Sequence, residues 1–333
     1  MTREPAAAVA PAALGTIERP ARPFELSPRW VVDRFRRIDD GAWPSLETSL
    51  RFLRFAWRCT WHRRAILRLE ADLVACGFAA LLRQDPRLSL RPLRAYLSHA
   101  LDAQARADAI ATHCRWLAAS VRPHVVASLF AGQRQPLFED VGEDDGGETI
   151  AISLARPARF AREGELALEL AIGGELVATL AFVAVSEPGF AAGAPAARFV
   201  VGALQGAPGA LDGLRRVSAR LDRLQPAALL VVALQALGEA ASFTAPPRAV
   251  SSAGHVYRRY RTSRREVSLD YDRAWSAAGG TRDGADFWIL PARWPVKPID
   301  EVPSKHRSAH RRKERRRAAV HDAVRDAARA LLA

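Results

Sequence analysis

Residues 165–185, ELALELAIGGELVATLAFVAV, and residues 197–208, ARFVVGALQGAP, decide the fold class. Two runs of Leu, Ile, Val and Phe flank Gly173-Gly174, a pair that adopts positive φ without steric cost, so the first stretch predicts a β-hairpin with a tight turn. The second is a largely apolar strand that stops at Gly206 and Pro208. Residues 210–224 then read as an amphipathic helix, and Pro226 suits the first turn of the apolar helix in PAALLVVALQALGEAA. PRAVSSAGHVYRRY from Pro247 predicts a further strand, DYDRAWSAAGG a short helix closed by a glycine pair, and ADFWILPARW a last strand. Hairpin, strand, helix, strand, helix and strand in that order point to an α/β or α+β sheet domain over residues 150–300.

Upstream the period is helical. From Pro44, the segment PSLETSLRFLRFAWRCTWHRRAILRLEADLVA places Leu46, Leu50, Leu53, Trp57 and Trp61 at steps of three or four, the period of one helical face. RPLRAYLSHALDAQARADAIATHCRWLAASV repeats the pattern with Leu93, Leu97, Leu101, Ile110 and Leu117. Residues 29–138 therefore read as a helical subdomain, preceded by an Ala/Pro tail over 1–28 without periodicity. FEDVGEDDGGETI punctuates the chain as an acidic loop over 139–149. Residues 301–333 read as a basic helical C-terminus.

Of 333 residues, 49 are Lys or Arg and 36 are Asp or Glu, a formal charge of +13, while 49% are hydrophobic. That balance describes a globular chain with a basic bias. Residues 305–317, KHRSAHRRKERRR, carry eight basic residues against Glu314, more than half of the net charge. Three cysteines with no Cys-x-x-Cys spacing argue against a disulfide framework or a zinc site and for a reducing compartment. The N-terminus lacks an apolar signal core, and Gln235 and Glu239 interrupt the most apolar run below the ~20 residues a spanning helix needs. The expectation is a cytoplasmic protein, peripheral to the inner membrane if it meets a membrane at all.

Clustered Lys305, Arg307, Arg311 and Arg312 predict an anionic partner, either lipid headgroups or, less favoured because no aromatic is interleaved for stacking, a nucleic acid. Docking of this segment on the acidic loop is the structural alternative. His255 and Tyr257, two apart on a predicted strand, face the same way and suit a general acid/base pair; a packed histidine is the alternative. Asp270 and Asp272 read as helix caps. No metal site is expected, since arginines surround His306 and His310. No Gly-x-Ser-x-Gly elbow, Walker A loop or His-Glu-x-x-His is present, which excludes the standard hydrolase, ATPase and metalloprotease readings.

The blocks VGALQG at 201–206, HVYRRY from His255, DYDRAW from Asp270, FWILP from Phe287 and PSKHRSAHRRKERRR from Pro303, with RPLRAYL and HCRWL upstream, resemble in order those of the bacterial VirK/YbjX family. The resemblance implies an accessory factor in cell-envelope integrity, antimicrobial-peptide tolerance, stress response and virulence. The order of elements from the hairpin onward also resembles the GNAT acyltransferase fold, which implies an α+β (mixed α/β) fold with the helical subdomain packed on a mostly antiparallel mixed sheet. That likeness implies an acyl-CoA cofactor, with Gln205 and Gly206 at the phosphate turn and Arg215 and Arg216 supplying charge. The turn departs from the GNAT pattern, because residues 207–225 intervene before the apolar helix.

Overall fold

The computed structural model describes residues 26–38, 45–85, 87–141, 148–157, 159–191, 194–257 and 269–333. The greater part of the expected Ala/Pro tail and the centre of the acidic loop lie outside these residues, as do residues 258–260 of the strand expected from Pro247.

The helical part comprises α1 (Pro28–Ile38), α2 (Leu46–Trp61), α3 (Arg63–Ala75), α4 (Ala79–Gln84), α5 (Ala103–Ser120) and α6 (Pro123–Phe130). Local chemistry sets their starts. Ser45 caps α2 by accepting the Thr48 N–H at 3.1 Å, Asp102 caps α5 by accepting from Ala105 at 2.8 Å, and Pro123 occupies the first turn of α6.

The strands β1 (Gln135–Val141), β2 (Thr149–Ala155), β3 (Leu166–Ile172), β4 (Glu175–Ala191) and β5 (Ala194–Gly206) form an antiparallel run. β6 (Arg248–Val250), β7 (Thr281–Asp283) and β8 (Phe287–Ile289) complete one eight-stranded sheet in the order β1-β2-β3-β4-β5-β6-β8-β7. The fold is thus mixed α+β with a mostly antiparallel sheet, as expected. Gly173 and Gly174, at φ +57° and +82°, make the β3–β4 turn. Only β5 and β6 run parallel among the described strands, paired through Val200–Arg248 and Val201–Ala249.

The sheet begins earlier than the hairpin suggests. β1 and β2 flank the acidic segment, and the boundary expected at 138/139 falls inside β1. β1 escapes a pattern reading because it is an edge strand: Pro136 sits at its register shift, exposed Glu139 interrupts its apolar pattern, and half-buried Asp140 follows.

α7 (Leu211–Arg220), α8 (Pro226–Ala240), α9 (Tyr271–Ala277) and α10 (Arg307–Leu331) supply the remaining helices. α8 is buried along eleven of its fifteen residues because it lies between β3–β5 and α10. The main core runs from α3, α5 and α6 through the sheet to α8 and to Val320, Val324 and Ala328 of α10. A second, smaller cluster of Val31, Cys59, Ile66, Leu90 and Leu93 holds α1 and α2 in place.

Candidate functional site

His255 sits in a turn, not on a strand. β6 stops at Val250 because the Ser251 hydroxyl donates to the Ala285 carbonyl at 2.7 Å and accepts the Gly254 N–H at 3.0 Å, which folds the chain back. The imidazole is 2% exposed and stacks on Tyr271, with centroids 5.0 Å apart. Its Nδ1 accepts the Tyr257 N–H at 3.4 Å, and its Nε2 has no hydrogen-bond partner among the described residues. Burial lowers its pKa to about 4, so the ring is neutral at pH 7.

Tyr271 is the residue a sequence reading passes over. Its hydroxyl accepts the Leu204 N–H at 3.3 Å and the Gln205 amide at 3.4 Å. The signal for it is the i, i+4 aromatic pair Tyr271 and Trp275, both 1% exposed, on the buried face of α9. Asp270 caps α9 as expected, accepting from Arg273 at 3.1 Å. Asp272 does something else: it accepts from Trp288 Nε1 at 2.8 Å and pairs with Arg282 at 2.9 Å, tying α9 to β7 and β8.

The other expected anion-binding residues are dispersed. Arg215 pairs with Asp212 at 3.1 Å and Arg216 with Glu148 at 2.5 Å, while Arg220 reaches the Glu148 and Asp140 carbonyls. Arg216 and Arg220 thus lie against the ends of β1 and β2 and Arg215 stays on its own helix, whereas Gln205 turns to Tyr271. Gly206 has room for a side chain, since a Cβ there would meet Leu214 at an ordinary 3.5 Å.

Along α10, Arg312 lies 3.6 Å from Asp222, and Arg316 bridges Asp140 at 3.6 Å and Asp222 at 3.9 Å. Arg307 donates to the Val302 carbonyl, and buried Arg317 lies over the Trp294 ring and pairs with Glu314. Lys305 and Arg311 are exposed. Much of the basic segment is therefore spent on holding the C-terminal helix against β1 and the loop after α7.

A different surface has the composition of a binding site. The α2 side chains Leu46, Leu50, Leu53, Trp57 and Trp61 are 47–80% exposed, and the two indoles stack with centroids 5.7 Å apart. Their spacing is that of a core-facing stripe, yet the helix attaches through its other face. Thr48 and Cys59 are buried, and Phe52 and Phe55 pack on Phe35 at 5.3 and 5.5 Å. At about 100° per residue, Arg51, Arg54 and Arg58 lie a quarter-turn round from this ridge.

Those three arginines form one wall of a cleft of about 720 Å³. Arg87, Arg91, Arg94 and Arg162 line it as well, and Phe35, Phe55 and Leu90 supply apolar lining. Asp85 is the one acid among the described lining residues. Arg91 is neutralised from behind by an ion pair with buried Glu165, which also accepts from the Tyr96 hydroxyl at 2.9 Å. Burial opposes charge on Glu165, but the Arg91 guanidinium outweighs it and holds the carboxyl below its ordinary pKa.

Arg162 is positioned by a glycine. Gly202 lies at the register shift between β4 and β5, and a Cβ there would stand 2.0 Å from the Glu163 carbonyl oxygen. Only a glycine lets the 159–165 loop cross the strand so closely.

Among the described residues no group of three His, Cys, Asp or Glu is placed to hold a metal ion, and no helix is long and apolar enough to cross a membrane.

Comparison with known proteins places residues 45–327 within the family described as "Protein of unknown function (DUF535)". The protein described as "Uncharacterized protein YbjX" of Escherichia coli (strain K12) is 39% identical over 62 residues, which is 18% of this chain and 19% of that protein. No solved structure matches.

Proposed function

The chain belongs to the DUF535 family, and from that premise we propose that it is a peripheral accessory factor of the bacterial cell envelope, attached to anionic membrane lipid through α2. The observation that carries this reading is the exposed ridge from Leu46 to Trp61 with arginines along its flank. Leu and Trp on one face and cations beside them are what a helix lying in the headgroup region requires. Arg54, Arg58, Arg63 and Arg64 are all exposed. At about 1 kcal/mol each near an anionic surface they contribute about 4 kcal/mol, only millimolar affinity, so the apolar ridge has to provide the rest. A role in envelope integrity, antimicrobial-peptide tolerance and virulence is the wider reading that the VirK/YbjX resemblance supports.

Vesicle co-sedimentation tests the attachment. The protein is expected to bind vesicles containing phosphatidylglycerol and to leave pure phosphatidylcholine largely unoccupied. Trp57→Ala with Trp61→Ala is expected to weaken binding more than tenfold without changing the circular dichroism spectrum. Equal binding by the double variant, or none by the parent, overturns the reading.

A second reading is acyl-CoA-dependent acyl transfer, supported by the order of elements and by the parallel β5–β6 pair. Tyr271 counts against it, because its side chain fills the gap where β5 leaves β6 after Val201. Calorimetry with acetyl-CoA is expected to give no saturable heat. Micromolar binding lost in Arg215→Ala or Arg216→Ala would put acyl transfer first.

A further inference from the structure

We propose that the arginine-lined cleft beside α2 is a binding site for one phosphate-bearing lipid headgroup. The proposal rests on the membrane reading for its ligand; it shares Arg54 and Arg58 with that reading and adds Arg87 and Arg162 from other segments.

Arg54, Arg58, Arg87 and Arg162 line the cleft with no carboxylate partner among the described residues. Asp85, the acid in the wall, is within 3.9 Å of Arg91, whose charge Glu165 already balances. The four arginines reach the cleft from three separate segments. Their charge therefore has no local origin, unlike that of α10, where each bridging arginine finds an acid of the fold. Guanidinium is the group that binds phosphate oxygens in bidentate fashion, and a dianionic phosphate offers enough acceptors for several such pairs.

The lining also selects against a purely polar anion. Phe35, Ile38, Phe55 and Leu93 provide a surface for the glycerol and first methylenes of a lipid. The quarter-turn between ridge and arginines sets the depth. A helix that sinks its ridge about 5–10 Å into the acyl boundary holds its flank at the level of the lipid phosphates, so the cleft meets a headgroup without the lipid leaving the bilayer.

The test uses the full chain and dihexanoyl phosphatidic acid below its micellar concentration, titrated by calorimetry at modest ionic strength. Saturable binding of one lipid per chain, weakened at least tenfold in both Arg58→Gln and Arg87→Gln and unchanged in Arg329→Gln, an exposed arginine near the end of α10, is the expected result. Glycerol 3-phosphate is expected to bind at least tenfold more weakly. Equal affinity for it would overturn the lipid assignment in favour of a soluble phosphate. An oligothymidine that binds through the same arginines and displaces the lipid would overturn it in favour of nucleic acid. Absence of saturable lipid binding, or equal binding by the two arginine variants, overturns the site itself. Vesicle binding in that case leaves the membrane reading standing, whereas lipid binding without vesicle attachment supports the site and removes the membrane reading.

Discussion

The phenol of Tyr271 accepts the backbone N–H of Leu204 at 3.3 Å. This contact sits where β5 has parted from β6, so it gives a partner to a strand N–H that would otherwise be buried without one. Tyr271→Phe keeps the ring and removes that acceptor. It is expected to lower unfolding stability by about 1–3 kcal/mol, the cost of a buried donor left unpaired, measured by urea denaturation. Wild-type stability would mean that water already serves Leu204.

Two glycines of the block VGALQG differ in what they tolerate. Gly202→Ala puts a methyl against the Glu163 carbonyl and is expected to cost about 1–3 kcal/mol through forced backbone movement. Gly206→Ala meets ordinary contacts and is expected to stay within about 0.5 kcal/mol of the parent. Thermal melts of both variants compare them directly, and an equal loss would refute the crossing of the 159–165 loop over Gly202.

Stability is expected to fall on mild acidification. His113 and His255 are both held to a pKa of about 4, mainly by burial, and the His113 Nδ1 accepts the Ala184 N–H at 3.1 Å. In the unfolded chain each titrates near 6.5, so between about pH 4 and 6.5 the unfolded state binds more protons and stability rises with pH. Above that window these two histidines contribute no pH dependence. The loss approaches roughly 3 kcal/mol per histidine at the acid end, at 1.36 kcal/mol per pKa unit. A urea midpoint unchanged between pH 7.5 and 5 would show that these rings are not buried neutral.

Within the basic C-terminal helix, charge and stability separate by position. Arg317→Gln removes a buried guanidinium that lies 4.8 Å from the Trp294 ring centroid and pairs with Glu314. It is expected to cost about 1–3 kcal/mol. Arg311→Gln changes an exposed charge and is expected to cost under about 0.5 kcal/mol. Denaturant midpoints decide between this ordering and a helix whose arginines are all solvated.

Features that depend on a few adjacent residues were determined by the sequence alone. The Gly173-Gly174 turn, the Asp270 cap, the proline at the start of α8 and the helical C-terminus all follow from backbone conformations and hydrogen bonds closed within about four positions. The α+β class followed from them, because apolar runs of period two and 3.6 pack only in a few ways. Tertiary structure decided the candidate site, since its parts meet only when distant segments do. Gln205 reaches Tyr271 across 66 positions, and Arg58, Arg87 and Arg162 are ordinary surface cations until the cleft brings them together. The ridge on α2 is the sharpest case. Leu46 to Trp61 has the same spacing whether it faces a core or solvent, and only the packing of Cys59, Phe52 and Phe55 on the other face leaves it outside.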